Sequence, residues 1–185
     1  MAGLIAVIAV VGRPDSDGQA PVTAPVSRAD QSSAGAAEAA ERYAVAFGSE
    51  RMFRPEERRQ LVETSAAPAA RAQLQARFDT GFSAALNEQY GLSRDGLPPE
   101  GTTFVSRTLP AGTTVTAYTG TEATVRVWAT GLLAPPEDTL STGWFTTTIS
   151  LQWIGGDWKL GRYDQTTGPT PDRAEAADIG LAPTP

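Results

Sequence analysis

The sequence predicts an α+β fold in which N-terminal helices pack on one face of a curved antiparallel sheet. Three observations carry this. Up to Gly91 the apolar residues recur at spacings of three and four, the period of a helix with one buried face. After Gly101 the period falls to two. The run WFTTTISLQWIGGDWKLGRY over residues 144–163 then reads as two strands folded on Gly155, Gly156 and Asp157. Helices first and a meander of strands afterwards is the order of an α+β domain.

The first helix is expected over residues 35–47, with Ser33 as N-cap, Gly48 as terminator and a stripe of Ala36, Ala40, Tyr43 and Phe47. A second opens at Pro55, a residue suited to the first helical position, with Glu56 and Glu57 where the helix dipole favours acids. It carries Leu61 and Val62 and ends near Thr64. The third starts around Pro68 and presents Leu74, Phe78, Phe82, Ala85 and Leu86 before Tyr90 and the stop at Gly91.

Five strands are expected, over residues 103–108, 113–119, 123–133, 144–154 and 158–163. The middle one alternates most cleanly, with Ala123, Val125, Val127 and Ala129 on one face and Thr124, Arg126, Trp128 and Thr130 on the other. Pro110, Ala111 and Gly112, and then Gly120 and Thr121, read as turns, and residues 134–143 as a longer exposed loop.

The 185 residues divide into an apolar segment (1–12), a flexible linker (13–33), the α+β domain (34–165) and a disordered Pro-rich tail (166–185). The segment MAGLIAVIAVVG is shorter than the roughly 20 apolar residues that span a bilayer, and no basic segment precedes it as in a signal peptide. It reads as a clipped membrane anchor or export signal, with an apolar arm packed on the domain as the plain alternative. Cysteine and histidine are both absent, which excludes disulfides, thiolate metal sites and the usual general base near neutral pH. A net charge of −6 lacks the basic footprint of a nucleic-acid binder, so no direct nucleic-acid binding is expected. Lys159 is the only lysine among 15 basic residues, a bias that fits a GC-rich genome.

The helices-then-meander plan, together with the ending LQWIGGDWKL, resembles the nuclear transport factor 2-like superfamily over roughly residues 34–165. In that fold helices cover a strongly bent sheet to form a cone. Within it, the layout of apolar segment, linker and single domain resembles the bitopic scaffold proteins of conjugative type IV secretion systems, including the TcpC-type transfer proteins. The resemblance implies a single-pass cell-membrane protein whose extracytoplasmic domain self-associates and contacts other channel proteins. It brings no catalytic residue with it.

Accordingly no catalytic, cofactor-binding or metal-ligating residue is expected, and no cofactor. The alternative is a small-ligand-binding or isomerase-type cone. Such enzymes pair an acidic base with tyrosine or acid donors, and the groups available are Tyr43, Tyr90, Tyr118, Tyr163, Asp79 and Glu88. The plain reading places those tyrosines in the core or at its rim and the acids on solvated helix faces. Asp79 directly follows Phe78 of the third stripe and should lie off the buried face.

Trp153 shares the apolar side of its strand with Phe145 and Leu151, and Trp158 follows the hairpin turn. Trp128 and Trp144 instead share faces with threonines, which marks them as candidates for an interface or a pocket. Arg51, Arg54, Arg58 and Arg59 cluster beside Glu50, Glu56 and Glu57, and read as a solvated face laced with weak ion pairs. Gly155 and Gly156 are not a phosphate loop, because no helix and no Lys-Ser/Thr pair follow them.

Overall fold

The computed structural model describes residues 30–136 and 138–171. The apolar segment 1–12, linker residues 13–29 and tail residues 172–185 lie outside them. The described chain is α+β, with helices on one face of an open four-stranded antiparallel sheet in the order β1-β2-β3-β4.

Helix α1 (Ser33–Phe47) is capped by Ser32, not Ser33: the Ser32 side chain accepts from the Gly35 amide at 3.0 Å. Ser32 takes the cap because its own backbone is extended while Ser33 is already helical. The buried stripe holds Ala36, Ala39, Ala40, Tyr43, Ala44 and Phe47, and the four small alanines let the helix lie close against the sheet. A 3₁₀ turn (Glu50–Phe53) that has no periodic signature of its own leads into α2 (Pro55–Ser65).

The single third helix expected from the stripe is two helices, α3 (Arg71–Gly81) and α4 (Ala84–Gln89). The break follows from Gly81, a poor helix former, and from Ser83, whose side chain accepts from the Leu86 amide and restarts the helix. The break splits the stripe. Leu74 and Phe78 enter the main core, Leu86 and Tyr90 pack on a satellite of Phe53, Leu92 and Phe104, Phe82 packs against both, and Ala85 is exposed.

The first two expected strands are one, β1 (Val105–Tyr118). Pro110 and Gly112 flank a β-bulge rather than a turn, and a second bulge follows Val115. A proline survives there because β1 is an edge strand, and bulges bend and twist such an edge. β2 (Glu122–Ala134), β3 (Ser141–Ile154) and β4 (Asp157–Thr167) complete the meander. Pairing continues to Leu133 and Ser141, so the loop is shorter than its sequence suggests. Gly155 and Gly156 form a two-residue hairpin with positive φ at both positions, the turn that strand twist favours.

Ala123, Val125, Val127 and Ala129 of β2, Ile149 and Leu151 of β3, and Trp158, Leu160 and Tyr163 of β4 all face the helices and are buried. Each fully buried Val, Leu or Ile contributes about 1.5–3 kcal/mol. The domain also overruns both expected boundaries. Asp30 accepts from the Trp158 indole N–H at 3.0 Å, and the Gln31 side chain donates to the Gly120 carbonyl at 2.9 Å. At the other end β4 runs to Thr167, and Gly168 donates to the Trp144 carbonyl at 2.7 Å.

Candidate functional site

The two faces of the sheet present different chemistry. On the helix side, Gly131 and Gly143 sit directly opposite one another on β2 and β3. They follow Val127 and Ala129 and precede Phe145 on the inward alternation; the Phe145 ring lies over Gly131, 3.0 Å from where a Cβ would sit, while Gly143 has nothing within 4 Å of that point. A pocket of about 340 Å³ lies beside them. Phe47, Phe53, Phe82, Phe145 and Leu133 supply its apolar walls, and Ser106, Arg107 and Gln165 its polar edge. Arg107 is the ionisable residue of the lining and forms an ion pair with Glu50.

The opposite face carries Trp128 and Trp144. Register places them beside Thr146 and Thr130, pointing away from the helices. Their rings stack with centroids 4.5 Å apart and an interplanar angle of 28°. Leu109, paired with Thr130, adds an exposed apolar residue on the same face. Among the described residues no helix covers Trp128, yet it is only 7% exposed. The cover is the chain beyond β4. Gly168, with φ +74°, turns the backbone over this face; its carbonyl accepts from Thr146 Oγ1 at 3.0 Å and that of Pro169 from Trp128 Nε1 at 2.8 Å. That strap lies inside the tail read from the sequence as disordered.

The groups needed for an isomerase-type site are scattered. Tyr43 donates to the Trp158 carbonyl at 2.5 Å, and Tyr163 packs between Phe47 and Phe78; burial pushes both phenols up to about 12. Tyr90 belongs to the satellite core and Tyr118 donates to the Gln31 carbonyl. Asp79 and Glu88 pair with Arg58 and Arg94. None of these six residues lines the pocket. Trp153 packs edge-on against Trp158 at 5.3 Å, on the helix side as its alternation requires.

The arginine cluster divides. Arg51 and Arg54 pair with Glu57, and Arg59 with Glu56, on an exposed helix face. The hydrogen bond from Arg54 holds the Glu57 carboxyl below its ordinary range. Arg58 departs from the solvated reading, since its side chain is only 4% exposed. It donates to the Met52 carbonyl at 2.6 Å and to Asp79 at 2.9 Å, linking α2, the 3₁₀ turn and α3. A guanidinium can be buried where its donors all find acceptors. Asn87 is a buried tie that the sequence did not single out; its side-chain amide donates to the carbonyls of Phe53 and Arg94.

Among the described residues no helix is long and apolar enough to cross a membrane, and no group of three or more acidic residues is placed to hold a metal ion. No family model matches the chain, and no curated protein matches it. Among solved structures, the crystal structure of the intermembrane space region of the chloroplast protein ARC6 is similar over 63% of this chain and 83% of that one. The identity is 16% and the TM-score 0.35, too low to argue from.

Proposed function

We propose that this chain is a non-enzymatic scaffold of nuclear transport factor 2-like, cone-shaped fold, tethered to the cell membrane by its N-terminal segment with the domain on the extracytoplasmic side. In this reading it assembles with itself and with other channel proteins of a conjugative transfer or secretion apparatus. The observation that carries the proposal is the sheet face that no described helix covers, where exposed Leu109 and half-buried Trp144 lie beside Trp128 under its Gly168–Pro169 strap. Aromatics concentrated on an otherwise polar surface are the composition of protein interfaces. The apolar run of residues 1–12, followed by a polar linker, supports the tether.

The test is fractionation with protease protection of the chain expressed from its native locus. A membrane-bound product digested from outside is expected. A soluble product inside the cell would sink the tether and with it the scaffold reading.

The Gly131–Gly143 pocket favours a second reading, a small-ligand-binding cone. Its aromatic walls and single arginine suit a compact apolar ligand with an anionic or polar end. Nothing lies within 4 Å of a Cβ built at Gly143, so Gly143→Val should narrow the space. Screening small apolar acids against both forms tests this reading, which is lost if neither form binds any of them or if both bind equally.

A further inference from the structure

The wall of the Gly131–Gly143 pocket carries one ionisable side chain, and its charge is matched from outside the pocket. Arg107, near the start of β1, lines the opening; its ion-pair partner Glu50 does not. Glu50 is the first residue of the 3₁₀ turn whose last residue, Phe53, forms part of the apolar wall. Its side chain is 28% exposed and that of Arg107 48%, and Glu50 Oε2 is shut off from solvent where the two meet. The other arginines of this stretch, Arg51 and Arg54, pair with Glu57. Glu50 therefore compensates Arg107.

Charge and hydrogen bonding separate at this pair. A guanidinium presents five N–H donors in a rigid fork. Arg107 Nη1 serves the Ser106 carbonyl at 2.8 Å and also Glu50. The remaining donors, on a side chain nearly half exposed, can still bond a ligand oxygen. Glu50 thus removes the net charge of the site without using up its donors. A neutral polar group loses nothing by this. A carboxylate loses the attraction of an uncompensated cation and meets a second carboxylate of like sign.

We propose that Glu50 is a selectivity residue for this pocket. By cancelling Arg107 it lets a compact apolar ligand bind through a neutral hydrogen-bonding end, such as an amide, about as well as through a carboxylate. The inference rests on the small-ligand-binding reading and narrows its ligand class. The apolar body is held by Phe47, Phe53, Phe82 and Phe145, and the polar end is read by Arg107 under the control of Glu50.

The probes are phenylacetate and phenylacetamide, which share an aromatic body and differ in charge. Each is titrated calorimetrically into the full chain at one low ionic strength, so that screening is constant. The unaltered chain should bind the two with affinities within about threefold of each other. Glu50→Gln keeps an acceptor of the same size for Arg107 and removes only the charge. It should tighten phenylacetate by about three- to tenfold, the scale of one unit charge roughly 6 Å away in a largely hydrated setting, and leave phenylacetamide unchanged. The double variant Glu50→Gln/Arg107→Gln removes both charges, so it stays folded if the single variant does not, and it should show no preference for the acid. Gly143→Val should weaken both probes in every form, which places them in this pocket.

Phenylacetate that binds the Glu50→Gln chain no more tightly than the unaltered one would overturn the selectivity role and leave the pocket reading standing. Equal weakening of both probes by Glu50→Gln would also overturn it, since Glu50 would then act by holding the wall in place. A preference for the acid that survives in the double variant would assign the discrimination to some group other than this pair. Binding of neither probe by any form would remove the small-ligand reading itself, and the role of Glu50 with it.

Discussion

The hydroxyl of Tyr43 donates to the backbone carbonyl of Trp158 at 2.5 Å, joining α1 to β4 across 115 residues of sequence. It is a buried bond between the first helix and the last strand, so it closes the domain. Tyr43→Phe leaves that carbonyl with one bond fewer in an apolar setting and should cost about 1–3 kcal/mol. Urea denaturation of the two forms gives the difference directly; a loss below about 0.5 kcal/mol would mean that water replaces the hydroxyl.

Tyr43 and Tyr163 also set the alkaline limit of stability. Burial raises both phenols from 10.0 to about 12. The folded state therefore keeps protons that the unfolded chain releases. Stability from these groups is fully present below pH 10 and is lost as pH rises from 10 towards 12, at up to about 1.4 kcal/mol per pH unit for each tyrosine. Denaturation midpoints at pH 9, 10 and 11 should fall with increasing steepness, and Tyr163→Phe should make the fall shallower. A midpoint that stays flat to pH 11 would contradict the burial of both hydroxyls.

Arg58 and Asp79 form an unequal pair, one partner buried and the other half exposed. Removing Asp79 leaves a buried guanidinium that cannot shed its charge, with the Met52 carbonyl as its remaining acceptor among the bonds described here. Asp79→Ala should cost about 2 kcal/mol, and Arg58→Ala about 2–3 kcal/mol through lost packing as well. Arg58→Lys should not restore stability, because one ammonium cannot reproduce the fork to both acceptors. Full recovery by lysine would show that only the charge matters.

Gly48 is required for space rather than for its backbone angles, since its φ of −100° suits any residue. A Cβ there would run into the side chain of Thr108 on β1. Gly48→Ala should push α1 off the sheet edge and cost about 1–3 kcal/mol, as overpacking does. Thermal melts of the two forms provide the check; equal midpoints would mean that β1 yields freely at that point.

The parts of the fold that the sequence disclosed are those governed by local period. Val125 and Val127, or Ile149 and Leu151, announce a buried sheet face because each strand must hide one side. The α1 stripe is legible for the same reason. What escaped was decided by contacts distant in sequence. Pro110 and Gly112 have turn chemistry, yet β2 runs past them and holds them in a bulge. Arg58 looks like its solvated neighbours until α3 supplies Asp79. The pocket depends on Gly131 and Gly143 meeting across two strands, and neither glycine signals that alone. Trp128 was marked as unusual by its polar neighbours, but its cover is a proline-containing stretch whose composition reads as disorder.

The hydrogen bonds that hold Asp30 and Gln31 to Trp158 and Gly120 have an orientational consequence. They fix the point where the preceding chain joins the domain at one pole of the sheet, beside the β1–β2 turn. The Gly131–Gly143 opening lies at the far pole, on the order of ten residues along β2 and so roughly 30 Å away. The chain's entry point and the opening therefore lie at opposite ends of β2, so a substitution at Asp30 or Gln31 acts on that entry point without touching the pocket lining.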